Sequence, residues 1–352
     1  MFRRWRIGAA ALLAAAAAPT AFAAPAAMAA PGAPGHAVAF VYHRFGEPEH
    51  AATNTTLAQL DAQIAYLKSG RFTVWPLARI VEAIRAGEPI PDRTVALTID
   101  DAFASVAANA LPRLKAAGLT ATLFVSTAPV DAGQAGYMTW DDVRQAVSDG
   151  FDIGAHSFSH AHLVEATPEE TRREIADSNA RFREELGAAP PLFAYPYGEA
   201  SLAVRAAVEA AGYRAAFGQH SGVLHESEDL FYLPRFALNE KYGEMDRFRI
   251  LASALPLMAR DVTPRDMALD NANNPPAFGF TVDDAVGDLS ALACYDSRGV
   301  RLDLQRLGGR RIEARLTERL QAGRSRVNCT APAVGGRWRW FGRQFYVPAG
   351  SG

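Results

Sequence analysis

Between Val38 and Phe217 short apolar runs alternate with amphipathic stretches, the rhythm of repeated β/α units. Strands are expected at 38–42, 94–100, 120–126, 152–155, 192–195 and 214–217. Apolar residues at helical spacing predict helices over 57–69, 77–86, 104–117, 140–148, 168–186 and 202–211, with Thr139, Thr167 and Ser201 placed to cap three of them. Six or more such units in one domain imply a parallel sheet, either doubly wound or closed into a barrel. The polar residues that stand out follow the strands: Tyr42-His43, Asp100-Asp101, His156 and Tyr195-Pro196-Tyr197 all fall at C-terminal ends, the edge where such folds place their sites.

The rhythm breaks at Asp270-Asn271-Ala272-Asn273-Asn274-Pro275-Pro276, a poor helix or strand former. Beyond it short strands are expected at 278–282, 292–296, 311–316, 324–327, 338–341 and 344–347, the pattern of a small β-sandwich. In Arg337-Trp338-Arg339-Trp340 the alternation puts the arginines on one face and the tryptophans on the other, so a half-buried strand is favoured over a glycan-binding patch.

The first residues change the picture of where the chain works. Met1-Phe2-Arg3-Arg4-Trp5-Arg6, an apolar Ala/Leu run and small residues near Ala23 and Ala29 read as a cleaved export signal, too short for a membrane span. The expected division is a signal peptide over 1–30, an enzyme domain over 31–269, a linker over 270–276 and a β-rich domain over 277–352. No integral span is expected once the signal is removed, and a periplasmic or secreted location follows. Cys294 and Cys329, the only cysteines, would form a disulfide in that oxidising setting. Net charge is −2, but residues 281–352 hold 12 Arg against 7 Asp plus Glu, leaving −7 on the rest. An acidic body argues against nucleic acid as the main partner. Oligomeric state is not legible.

Asp100-Asp101, then His156 and His160, supply one carboxylate and two imidazoles for a divalent metal plus a second carboxylate free to act as a base. Two adjacent carboxylates at a strand end repel unless a cation neutralises one of them. Zinc is the first expectation, with cobalt, nickel or manganese also compatible with these ligand types.

The ordered runs Leu97-Thr98-Ile99-Asp100-Asp101-Ala102, His156-Ser157-Phe158-Ser159-His160 and Phe193-Ala194-Tyr195-Pro196-Tyr197-Gly198 resemble the first three motifs of NodB-homology polysaccharide deacetylases, carbohydrate esterase family 4, over roughly Ala37 to Asn239. Tyr42-His43-Arg44-Phe45 and a third motif without arginine look most like the exported poly-N-acetylglucosamine deacetylase branch. The resemblance implies a distorted (β/α) barrel, Asp101, His156 and His160 as metal ligands, Asp100 as general base, and the Tyr197 backbone N–H at the oxyanion. Tyr195, Pro196 and Tyr197 would line the substrate cleft, where Tyr137 and Trp140 are further aromatic candidates, Trp140 more as core.

Two departures open questions. The third motif has Ala194 where the family has an arginine that orients the base, so Arg235 is a candidate replacement, a structural salt bridge being its alternative. The family's late histidine is not recognisable, leaving His220 and His43 as candidates for the acid that protonates the leaving amine, His220 slightly ahead. Ser157 stays unassigned and His162 is expected at the loop surface. The expected activity is metal-dependent removal of N-acetyl groups from an N-acetylglucosamine polysaccharide. An O-acetyl esterase acting on an acetylated polysaccharide and a non-catalytic glycan-binding protein are the alternatives.

Overall fold

A computed structural model describes residues 35–349. The predicted signal peptide therefore lies outside the described residues. Within them, no helix is long and apolar enough to cross a membrane.

Parallel strands His36–Tyr42, Thr94–Asp100, Thr122–Val125, Asp152–Ala155, Leu192–Ala194 and Ala215–Phe217 lie side by side in chain order, with Leu224–His225 antiparallel on the outer edge of the first. Their near-continuous apolar character suits a sheet buried on both faces: all seven residues of Thr94–Asp100 are buried. The sheet curls into a half-barrel. Its gap is spanned by 233–237: Leu233 bridges to Phe217 at one edge, while Phe236–Ala237 pairs with Phe40 and Val41 at the other. Arg235 sits in the middle of that span.

The helices form where amphipathic spacing and caps coincide. Leu77–Ala86, Trp140–Ser148 and Pro168–Leu186 occupy their predicted ranges. Thr139 and Thr167 each close a capping box, and Ser201 accepts from the Val204 N–H. The predicted 104–117 helix is instead a π-helical turn, Val106–Ala110, running into Leu111–Ala116, where Pro112 lacks an N–H to donate.

The C-terminal residues form two four-stranded sheets. One orders Leu255–Pro256, Trp338–Val347, Gly323–Pro332 and Ala293–Asp296; the other orders Ala259–Thr263, Ala277–Val282, Arg311–Arg315 and Asp303–Leu307. Each thus includes a strand that precedes 270–276. Strands of two to five residues have too few positions to display a period, so the sequence gives no sign of them. Phe280 of one sheet packs on Phe341 of the other, ring centroids 4.9 Å apart. Cys294 and Cys329 face each other in register across adjacent strands and are disulfide-bonded.

The strands expected at 338–341 and 344–347 are one, Trp338–Val347, and it runs along the half-barrel. Gly342, which reads as a breaker, permits a close approach: a Cβ there would lie 2.3 Å from the Ser221 carbonyl oxygen. Trp340 packs edge-on against Phe236, while Trp338 is 39% exposed, contrary to the expectation that both would be covered. Arg337 reaches Asp92 and the Ser253 carbonyl, so this face of the strand is pinned by its arginines.

A buried ionic cluster closes the contact. Glu228 lies 3.2 Å from His225 Nε2 and 3.5 Å from Arg343 Nη2. Burial alone would raise the Glu228 pKa, but Arg343 and His225 outweigh it and bring it down to about 2. A carboxylate depressed on folding stabilises the protein above its unfolded pKa, near 4.5, and that contribution is lost as pH falls toward 2. It amounts to about 3 kcal/mol. Denaturant melts of wild type and Glu228→Gln between pH 6 and pH 2.5 are expected to converge as the pH drops. A difference that stays constant across this range would contradict the assignment.

Candidate metal and hydrolytic site

Three motif loops meet at the C-terminal ends of the strands. Asp101 Oδ1 lies 3.3 Å from His156 Nε2 and 3.1 Å from His160 Nε2, and one ligand atom from each residue falls within a 4.8 Å cluster. Asp101 Oδ1 and His156 Nε2 are buried without a hydrogen-bond partner. Such orphaned buried atoms are costly unless something else occupies their lone pairs. His156 Nδ1 is 2.7 Å from the Ala194 carbonyl, which can only accept, so the proton sits on Nδ1 and the Nε2 lone pair faces the cluster. The Ala194 carbonyl thus orients the His156 ring.

Backbone strain concentrates here. Eight described non-glycine residues have positive φ, and five of them are Asp101, Ala102, Ser157, His160 and Tyr197. Such conformations are retained where the surroundings over-determine them. Around His160, Ser157 Oγ accepts its N–H at 3.0 Å, and Glu174 accepts from the N–H groups of Phe158 and Ser159. Ser157 is therefore a turn support.

Asp100 is wholly buried and held by a fork: Arg235 Nη1 to Oδ1 at 2.7 Å and Nη2 to Oδ2 at 2.8 Å. Arg235 is itself fully buried and also donates to the Thr98 hydroxyl and the Gly218 carbonyl. Burial pushes the Asp100 carboxyl up, but Arg235 and His156 outweigh it and hold it below the ordinary range. Asp100 Oδ2 is 3.9 Å from His156 Nε2.

The two candidate acids separate. His43 stays with the cluster: Gln219 Nε2 lies 3.4 Å from both His43 Nε2 and Asp100 Oδ2, and Asp101, Asp100, Arg235 and His156 all act on the His43 charge. Burial nonetheless leaves its pKa lowered. His220 lies elsewhere, stacked on Tyr232 at 4.2 Å and electrostatically coupled to Arg343 and Glu228, with burial driving its pKa well down. Its main chain, accepting from the Arg235 N–H, is what serves the site. Of the two, His43 lies at the cluster, because residue 220 points to the C-terminal sheets.

Tyr197 has φ 59° and ψ 3°, its ring edge-on to His160 at 4.4 Å and stacked on His162 at 3.9 Å. The glycine after it is needed: a Cβ on Gly198 would fall 2.4 Å from the Gln219 nitrogen. Tyr195 is not a cleft residue. It is 0% exposed and donates to the Phe231 carbonyl, since alternation turns its ring inward. Pro196 is likewise buried, which leaves Tyr197 of that trio half-open. Tyr137 is half-buried against Phe103 with Asp101 acting on its phenol, whereas Trp140 is core.

Sequence reasoning missed Gln219, the His162–Glu199 pair at 2.7 Å, and Gln344, whose amide donates to the Tyr197 carbonyl at 3.0 Å. A strand-end glutamine and a pair 37 residues apart carry no spacing signal.

The polysaccharide deacetylase family model matches residues 87–216. Poly-beta-1,6-N-acetyl-D-glucosamine N-deacetylase of Escherichia coli (strain K12) is 25% identical over 218 residues, 50% of this chain and 32% of that protein. YxkH of Bacillus subtilis (strain 168), whose name includes polysaccharide deacetylase, is 25% identical over 144 residues, 41% of this chain and 51% of its own length. The chain thus spans about half or less of these curated relatives. Among solved structures, IcaB from Ammonifex degensii superposes with TM-score 0.57 at 20% identity, covering 62% of this chain and 97% of that one. Streptococcus pyogenes deacetylase PplD, in complex with acetate, gives TM-score 0.56 at 22% identity, over 59% and 94%. These two likenesses show the fold. With the fold and the ordered motifs in agreement with the family match, residues 87–216 are assigned to a polysaccharide deacetylase domain.

Proposed function

We propose that the protein is an exported, metal-dependent hydrolase that removes N-acetyl groups from an N-acetylglucosamine-containing polysaccharide. The observation that carries this reading is the convergence of Asp101, His156 and His160 with two buried, unpartnered ligand atoms, beside a carboxylate held by Arg235. One oxygen and two nitrogens suit zinc and equally cobalt, nickel or manganese. A divalent cation held there would supply Lewis acidity, polarising the acetyl carbonyl and making water easier to deprotonate.

The chain's own groups do the rest. Asp100, kept ionised by Arg235, takes a proton from the attacking water. The Tyr197 N–H donates to the oxyanion that develops as the acetyl carbon becomes tetrahedral. His43, which Gln219 places beside Asp100, delivers a proton to the amine nitrogen as the C–N bond breaks; burial lowers its pKa, so it rests neutral, and the proton that Asp100 has taken from water is the one passed on to it. Acetate and a free amine result. The Cys294–Cys329 disulfide fits an oxidising compartment outside the cytoplasm.

The deciding measurement is acetate and free-amine release by the purified protein, metal-depleted and then reconstituted, on N-acetylglucosamine oligomers, peptidoglycan and acetylxylan. Amine release from the oligomers that disappears on depletion and returns with metal is expected. Acetate from acetylxylan alone would make it an O-acetyl esterase. Binding without release under any metal would leave a glycan-binding protein.

A further inference from the structure

The Tyr197 turn is held from outside its own domain. Gln344, in the long C-terminal strand, is 2% exposed, and its Nε2 donates to the Tyr197 carbonyl at 3.0 Å. The amide can point only one way, because Gln344 Oε1 accepts from Arg326 Nε at 2.9 Å. The main chain is clamped as well: Tyr232 donates its hydroxyl to the Gln344 carbonyl, and the strand passes hard against Ser221 at Gly342. Arg324, on the adjoining strand, adds a longer contact to the same Tyr197 carbonyl at 3.4 Å and lies over the Tyr197 ring at 5.3 Å.

Tyr197 has reason to need this. A tyrosine at φ 59° is strained relative to negative φ, so the turn relaxes if its carbonyl is let go. Relaxation about the Cα would swing the Tyr197 N–H away from the cluster. We infer that Gln344 is a positioning residue for the hydrolytic site, so that the C-terminal sheets complete the frame of the oxyanion donor. This rests on the reading of Tyr197 N–H given above.

Two variants test it in the full-length, metal-reconstituted protein. Gln344→Met removes the donor and keeps the volume; Gln344→Glu also removes it but retains an acceptor for Arg326. Both should raise hydrogen exchange at the Gly198 and Glu199 amides, which donate to the Tyr195 and Pro196 carbonyls, by about tenfold or more, as expected when a local tether is lost. Both should lower kcat on N-acetylglucosamine oligomers by about tenfold or more with KM within about twofold, the signature of an interaction felt only in the transition state. Wild-type exchange in both variants overturns the inference whatever the turnover. Raised exchange with unchanged kcat overturns it too. If wild type releases no acetate, the functional reading falls, and the exchange comparison alone supports or rejects the tether.

Discussion

Arg235→Met is expected to destabilise the protein by about 3–5 kcal/mol, the cost of removing one partner of a fully buried pair. Both Arg235 and Asp100 have side chains with 0% exposure, and no solvent can replace the fork that joins them at 2.7 and 2.8 Å. The variant leaves a carboxylate that must either stay charged and unpaired or take up a proton, and in the second case it is no longer a base. Turnover should therefore fall more than substrate binding. The check is a denaturant melt combined with kcat and KM, and adding Asp100→Asn should recover part of the lost stability because the orphaned charge is then gone. Full stability and full turnover in Arg235→Met would remove the pair from both the fold and the chemistry.

Asp100→Asn alone should lower kcat by about two to four orders of magnitude, the usual contribution of a positioned general base. Asparagine keeps the volume and one acceptor for Arg235, but cannot take a proton from water. The ligand cluster at Asp101, His156 and His160 is untouched, so metal content measured by atomic absorption should match wild type. Loss of metal together with activity would instead make Asp100 a ligand, and wild-type turnover would exclude it as the base.

Much of the site could be named from the chain because its chemistry is crowded into short runs. Asp100-Asp101 ends a strand whose seven residues are all buried, and His156 and His160 share one loop after another. A parallel sheet then brings successive strand ends to one edge, so local pattern suffices to place all four. Arg235 was nameable only as a candidate, since nothing in Leu233-Pro234-Arg235-Phe236 says that this segment spans the gap in the sheet. His220 and Tyr195 show the converse. Each follows or ends a strand as an active residue would, yet one ring stacks on Tyr232 and the other is sealed in the core. Which way a strand-end side chain points depends on the twist and curl of the whole sheet, which a period of two does not encode.

Sequence by itself determined the α/β rhythm, the capped helices, and the inventory of Asp101, His156 and His160 with Asp100 beside them, because each is written in residues close together along the chain. Tertiary structure alone decided that Arg235 grips Asp100 from 135 residues away, that His43 rather than His220 shares the cluster, and that Gln344 reaches Tyr197 across 147 residues. Those contacts arise from how a curled sheet closes and where a second pair of sheets docks. Both depend on packing summed over the molecule, and no local spacing records it.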